Sequence, residues 1–282
     1  MFLLAGTAHQ IDNHFSLGLF YCGNMSKVLL NCEDLSFGYE GRMVLDGLNF
    51  SVEEGDKLCV VGENGSGKTT LLKGLLSLIS PLGGKLIKNP ELMPGDIGYL
   101  PQESPQQKDF PAAVFEVVLS GRQNKRGLAP FYTKADKAAA AESLSMLELS
   151  ELKSCCFREL SGGQRRRVLL ARSLCAAGKI LLLDEPASGL DPIVQASLYN
   201  VLEKINAELG ITVIMVSHDI EGVLRFSSAA TSGKDNNTGK GSNAAGKVLH
   251  LAGKQLFFGS AESYRDSEPG KNFLGAHRHC EP

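Results

Sequence analysis

Residues 62–69, Gly-Glu-Asn-Gly-Ser-Gly-Lys-Thr, limit the fold of this chain more than any other stretch. They fit the pattern G-x-x-x-x-G-K-[ST] and lie between a short apolar run at 57–61 and an apolar-rich run at 71–78. That order predicts a strand, a tight glycine turn and a helix. Gly62, Gly65 and Gly67 let the backbone wrap closely around an anion, and Glu63, Asn64 and Ser66 complete the turn. The first N–H groups of the following helix then point at phosphate. Lys68 places a positive charge beside β- and γ-phosphates, Thr69 offers a hydroxyl to a magnesium ion, and Thr70 follows it into the helix. A random chain of this length matches the pattern about one time in a hundred, and the strand-to-helix context makes chance rarer still. A bound nucleotide is the first expectation.

Two further segments carry chemistry. Positions 180–185, Ile-Leu-Leu-Leu-Asp-Glu, form an apolar strand ending in two carboxylates. Ligands in open α/β sheets collect at strand C-termini. Asp184 there would hold Mg²⁺, and Glu185 would polarise a water for attack on a terminal phosphate. Positions 160–164, Leu-Ser-Gly-Gly-Gln, place Ser161 as a helix cap, with Gly162 and Gly163 exposing backbone N–H groups and Gln164 in the first turn. A basic helix follows, opening Arg165-Arg166-Arg167. The chain therefore carries a second anion-binding helix end.

The remaining pattern alternates short strands with helices, as a mainly parallel sheet requires. Residues 1–26 have no periodicity, and Met25 is the expected biological start unless that stretch is a disordered arm. A strand is expected over 27–36, and Gly178 and Gly210 separate helices from the strands at 180–183 and 211–216. Thr133 with Asp136 predicts a helix cap inside a helical insertion spanning about 105–165. Residues 227–247 contain no large apolar side chain and read as a flexible loop. The runs 248–251 and 255–258 around Ala252-Gly253-Lys254 predict a hairpin, and 267–282 a polar tail.

Composition narrows the class. Lys and Arg number 29 against 31 Asp and Glu, a net charge of −2, which argues against nonspecific coating of nucleic acid. A hydrophobic share of 43% with 21% charged residues is that of a globular protein. No apolar run approaches the roughly 18 residues that would cross a bilayer. Seven cysteines without a C-x-x-C pair read as reduced thiols.

Together these motifs resemble the ATP-binding-cassette (ABC) ATPases, whose motif order residues 27–226 and 248–264 follow. Residues 62–69 resemble the family's Walker A loop, 180–185 its Walker B strand and 160–164 its own signature. Asp191 in Ser188-Gly-Leu-Asp191 resembles its D-loop, His218 its switch histidine and Gln102 in Tyr99-Leu-Pro-Gln102 its Q-loop glutamine. Tyr39, 23 positions before Gly62, resembles the aromatic that stacks on adenine. Taken alone, a histidine after a strand or a tyrosine in a turn is more often structural. Ala187 departs from the usual threonine or serine before the D-loop, without consequence for hydrolysis.

The resemblance implies an α/β P-loop NTPase fold, with an antiparallel β subdomain and a helical insertion inside an ATPase domain spanning 27–266. It implies ATP and Mg²⁺ as ligands, the ion held by Thr69, Gln102 and Asp184. Glu185 would act as general base, His218 would hold the γ-phosphate and water, and Gln102 would sense Mg²⁺ and a membrane partner. Two copies would face head to tail, ATP lying between 62–69 of one and 161–164 of the other, with a second copy and an integral membrane permease as partners. The segments 98–102, 110–111, 168–172, 216–220 and 248–260 are most similar to ATPase subunits of bacterial zinc/manganese-type importers. That implies a cytoplasmic subunit on the inner face of the membrane driving metal uptake, zinc ahead of manganese or iron, and indirectly a metal-binding protein. A soluble ABC ATPase attached to no transporter is the competing class, although such chains usually carry two cassettes or a coiled-coil insertion. A small-molecule kinase has no use for the second phosphate clamp. His277, His279 and Cys280 are competent metal ligands, but three ligands on a polar terminus rarely form a specific site.

Overall fold

The computed structural model describes residues 27–93, 95–102, 111–127, 129–218, 222, 224, 226 and 246–278, with side chains as far as 275. The possible start at Met25, most of the 227–247 loop and the ligands His277, His279 and Cys280 lie outside the described residues or side chains.

Three buried pentapeptides, each apolar at four of its five positions, form the centre. Strands β3 (Lys57–Val61), β6 (Ile180–Asp184) and β7 (Thr212–Val216) are buried at every position. Strands covered on both faces read as unbroken hydrophobic runs, which is the mark of a parallel sheet between two layers. With β5 (Ile97–Leu100), β8 (Lys247–Leu251) and β9 (Gln255–Ser260) they make a six-stranded sheet in the order β5-β6-β7-β3-β8-β9. All neighbours run parallel except the β8–β9 hairpin. Side chains alternate between faces: Leu58, Val60, Leu182 and Ile214 enter one core, and Cys59, Val61, Leu183 and Met215 the other.

The first core is roofed by a second, antiparallel sheet. Strands β1 (Val28–Tyr39), β2 (Arg42–Glu53) and β4 (Gly83–Lys88) are ordered β2-β1-β4. Leu30, Leu35, Phe37, Leu45, Leu48 and Val52 face inward against helix α1 (Lys68–Leu75). The apolar periodicity of the sequence carried this helix to residue 78. It ends at Leu75, because Ser77 turns to φ +59 and its N–H donates to the Gly74 carbonyl. Leu78 is left two-thirds exposed.

The other core is covered by the helical insertion and the longer helices. It comprises α2 (Val114–Leu119), a 3₁₀ segment (Ser120–Lys125), α3 (Lys134–Met146), α4 (Gly162–Ala176) and α5 (Pro192–Leu209). Caps mark their starts. Thr133 and Asp136 exchange the reciprocal bonds of a capping box, as do Ser161 and Gln164. Asp191 Oδ1 accepts from the N–H groups of Ile193 and Val194, and Pro192 occupies the first turn. Gly210, at φ +64, closes α5.

Two short C-terminal helices follow β9, α6 (Ala261–Asp266) and α7 (Glu268–Arg278). Helix α7 occupies part of what composition reads as a polar tail. Phe273 is buried with its ring 4.7 Å from that of His250, and the neighbouring Leu274 packs against the same core, so two adjacent apolar residues anchor the helix. Lys247, placed by composition in the flexible loop, opens β8 opposite Leu58. None of the described cysteines forms a disulfide.

Candidate active site

The site is assembled by the register of the parallel sheet. Leu100 pairs with Leu183, and Asp184 with Val216. Gln102, Glu185 and His218 therefore leave the C-terminal ends of three adjacent strands and meet, although 83 and 33 positions separate them in sequence. Gln102 Nε2 donates to Glu185 Oε2 at 3.2 Å, and His218 Nδ1 lies 3.4 Å from Glu185 Oε1. Both oxygens of one carboxylate are thus held from opposite sides. Glu185 itself sits at φ +48, a left-handed conformation costing a non-glycine residue about 1–2 kcal/mol. Such strain persists only where the surroundings impose it.

The glycine turn lies at the end of neighbouring β3. Gly62, Gly65 and Gly67 all have positive φ. A Cβ on Gly62 would lie 2.3 Å from the Leu251 carbonyl oxygen, so this position admits no side chain. The β8–β9 turn supports the loop from outside: the Gly253 N–H donates to the Ser66 carbonyl at 3.1 Å, and Asp46 N–H donates to the Gly253 carbonyl at 3.0 Å. Lys68 Nζ donates to the carbonyls of Gly62 and Glu63, both at 2.7 Å, folding back across the loop it serves. Burial lowers the Lys68 pKa, with Glu185 and Asp184 pulling it back up. Ser66 Oγ is buried without a hydrogen-bond partner, an orphan that suits a loop built to close on an anion.

Asp184 is 3% exposed, and its pKa is raised first by burial and then by the charge of Glu185, against the pull of Arg166, Lys68 and Lys73. A buried carboxylate short of positive charge fits a divalent cation, which would favour its ionised form. The chemistry of Thr69, Gln102 and Asp184 suits Mg²⁺: hard oxygen donors at the mouth of a phosphate loop. Thr69 is exposed at the start of α1. Tyr39 is 42% exposed, with Lys73 Nζ 5.7 Å from its ring centroid, leaving an aromatic ring at the rim.

The second helix end lies on α4. Ser161 Oγ accepts from Gln164 N–H at 3.3 Å, and Gln164 Oε1 accepts from Ser161 N–H at 2.9 Å. Gly162 has open space where a Cβ would stand. Asp191 is engaged as the cap of α5. The residue that sequence reasoning missed is Arg166. The run 165–167 reads only as the opening of a basic helix, yet each arginine bonds inside the fold. Arg165 donates to the Leu160 carbonyl at 2.7 Å, Arg167 to Ser197 Oγ at 2.7 Å, and Arg166 is 3% exposed among four carbonyls. A single signal pointed to it, its place one helical turn beyond the cap.

Comparison with known proteins shows the family and the fold. The family model described as ABC transporter matches residues 45–188. A "Probable metal transport system ATP-binding protein" of Chlamydia muridarum is 41% identical over 200 residues, covering 70% of this chain and 84% of that one. The zinc import ATP-binding protein ZnuC of Pseudomonas entomophila is 34% identical over 200 residues, covering 71% and 72%. Among solved structures, a nucleotide-free ATP-binding cassette from an ABC transporter superposes with a TM-score of 0.65 at 26% identity, covering 88% of this chain and 95% of that chain. CbiO1 from Clostridium perfringens, at 24% identity, shares the fold with a TM-score of 0.71 over 87% and 93%. No helix among the described residues is long and apolar enough to cross a membrane.

Proposed function

This chain belongs to the ABC transporter ATP-binding family, and from that premise we propose that it couples ATP hydrolysis to import of a divalent metal ion, zinc ahead of manganese or iron, through a separate membrane permease. ATP hydrolysis itself follows from family membership. The observation that carries the metal reading is the 34–41% identity, over about 70% of the chain, to relatives named for metal transport and zinc import. A metal-binding protein delivers the cargo, and the permease docks near Gln102 and the helical insertion on the inner face of the membrane.

In this reading two copies meet head to tail. ATP lies between residues 62–69 of one and 161–164 of its partner, which explains why one chain carries two phosphate-ready helix ends. Tyr39 stacks on the base. The loop N–H groups and Lys68 hold the β- and γ-phosphates, Lys68 exchanging the carbonyls of Gly62 and Glu63 for phosphate oxygens. Thr69, Gln102 and Asp184 would hold Mg²⁺, which would neutralise phosphate charge when bound. Glu185 accepts the proton of the attacking water, and His218 and Gln102, already on its two oxygens, orient that water and the γ-phosphate. Asp191 keeps the α5 end in place beside the dimer contact.

The test is Glu185→Gln in the full-length chain. It keeps shape and hydrogen bonding but removes the base, so hydrolysis falls roughly 10³-fold while MgATP converts monomer into a stable dimer on size-exclusion chromatography. In bacteria lacking their own zinc-importer ATPase, the wild-type chain, expressed with its permease, restores growth under zinc chelation and the variant does not. Undiminished hydrolysis removes Glu185 as base. Rescue under manganese or iron limitation but not under zinc limitation removes zinc.

A further inference from the structure

The Arg166 guanidinium holds together three pieces of the site that are far apart in sequence. It stands in the second turn of α4, the helix whose first residues are 162–164. Its Nε donates to the Pro186 carbonyl at 2.8 Å, and Nη2 donates to the carbonyls of Asp184 and Glu185 at 3.1 and 2.8 Å. Nη1 donates to the Pro101 carbonyl at 3.2 Å. Three of these acceptors are consecutive, at the point where the chain leaves β6 and Glu185 turns left-handed. The fourth immediately precedes Gln102. Proline has no N–H of its own, so both Pro101 and Pro186 present only a carbonyl at these turns. A planar fork with five donors matches this fan of acceptors, and a lysine ammonium on the same stem does not.

The geometry points to Arg166 as a positioning residue for hydrolysis. It fixes the backbone on either side of Glu185 and directly before Gln102, so that the carboxylate and the amide bonded to it keep their separation. Because it grows from the helix that begins at the 161–164 cap, it also ties the base of one copy to the element that receives the partner copy's ATP. Engagement of that nucleotide then reaches Glu185 through one side chain. The inference rests on Glu185 being the general base.

In the full-length chain, Arg166→Gln lowers kcat for ATP hydrolysis roughly 10²-fold, the loss expected from a misplacement of about 1 Å. KM for ATP stays within about threefold, because nothing that binds phosphate has been removed. Arg166→Lys, which keeps stem and charge, lowers kcat less than the glutamine variant at the same KM, and carries the test if the latter does not fold. The discriminating measurement is a double-mutant cycle followed by release of labelled phosphate. In a Glu185→Gln background the Arg166 substitution has no further effect, since there is no base left to position. A kcat within twofold of wild type, a rise in KM alone, or an equal loss in the Glu185→Gln background overturns the proposal. Wild-type hydrolysis by Glu185→Gln alone instead overturns the assignment of Glu185.

Discussion

Two buried carboxylates in this chain are driven in opposite directions, and the contrast shows what each environment is for. Asp136 accepts from Thr133 N–H at 2.9 Å, from Thr133 Oγ1 at 2.7 Å and from Arg122 Nε at 3.0 Å. Those bonds, the Thr133 backbone first, pull its pKa from 3.8 to about 2. Asp184 has no such set of donors, and burial pushes it up. One group is satisfied by the fold, whereas the other is buried against a like charge, as the proposed cation site would require. The sign of the linkage follows for Asp136. Its folded pKa lies below its unfolded one, so the stability it contributes is complete above pH 3.8 and is lost as pH falls through about 2. Asp136→Asn therefore costs roughly 1–2 kcal/mol at neutral pH, the worth of a cap with a charged partner. Its urea midpoint also falls less steeply than the wild type's between pH 4 and pH 2 (approximate bounds of that window). Parallel curves for the two proteins would remove the assignment.

At the scale of elements, the contact between α1 and the antiparallel sheet decides how the phosphate loop is held. A Cβ on Gly74 would lie 2.1–2.6 Å from atoms of the Phe37 ring, which is fully buried in β1. Alanine ordinarily favours a helix over glycine by about 1 kcal/mol. Here the Phe37 ring or the helix must shift to admit it, and overpacking of this kind costs about 1–3 kcal/mol. Gly74→Ala is thus expected to destabilise the chain by up to about 2 kcal/mol in denaturant titration; a more stable variant would show that the sheet yields. The same elements show which parts were legible beforehand. Strands were visible as apolar runs at 57–61, 180–183 and 211–216, and the caps at Thr133 and Ser161 as local hydrogen-bond chemistry. The end of α1 at Leu75 was not, because the apolar spacing continues past it into a turn. Helix α7 was missed because its apolar residues are few, and Phe273 and Leu274 gain their anchoring role only from the core they pack against.

For the whole molecule, the ends of the composition-biased segment 227–245 are tied to residues at or just before the start of β3. Lys57 Nζ donates to the Phe226 carbonyl at 2.7 Å, and Lys247 Nζ pairs with Asp56 at 2.7 Å and Glu53 at 3.2 Å. Replacing 227–245 by a Gly/Ser linker about one third as long should leave ATP hydrolysis unchanged. It should raise stability by up to about 1 kcal/mol, because loop-closure entropy grows only with the logarithm of length. A loss of activity would assign that segment a role that its composition does not suggest.

Sequence by itself determined the parts whose chemistry is contiguous. The glycine turn at 62–69, the paired carboxylates at 184–185 and the capped glycines at 161–164 each carry their function within a few residues, so they can be read without neighbours. Tertiary structure alone decided which distant side chains share one carboxylate. Gln102, Glu185 and His218 meet because parallel strands in register deliver their C-terminal ends to one edge. Arg166 likewise turns from one of three basic residues opening a helix into a buried clamp only when β6 and the end of β5 are brought under α4. A linear pattern records which donors and acceptors a chain owns, and the packing of strands and helices chooses their partners.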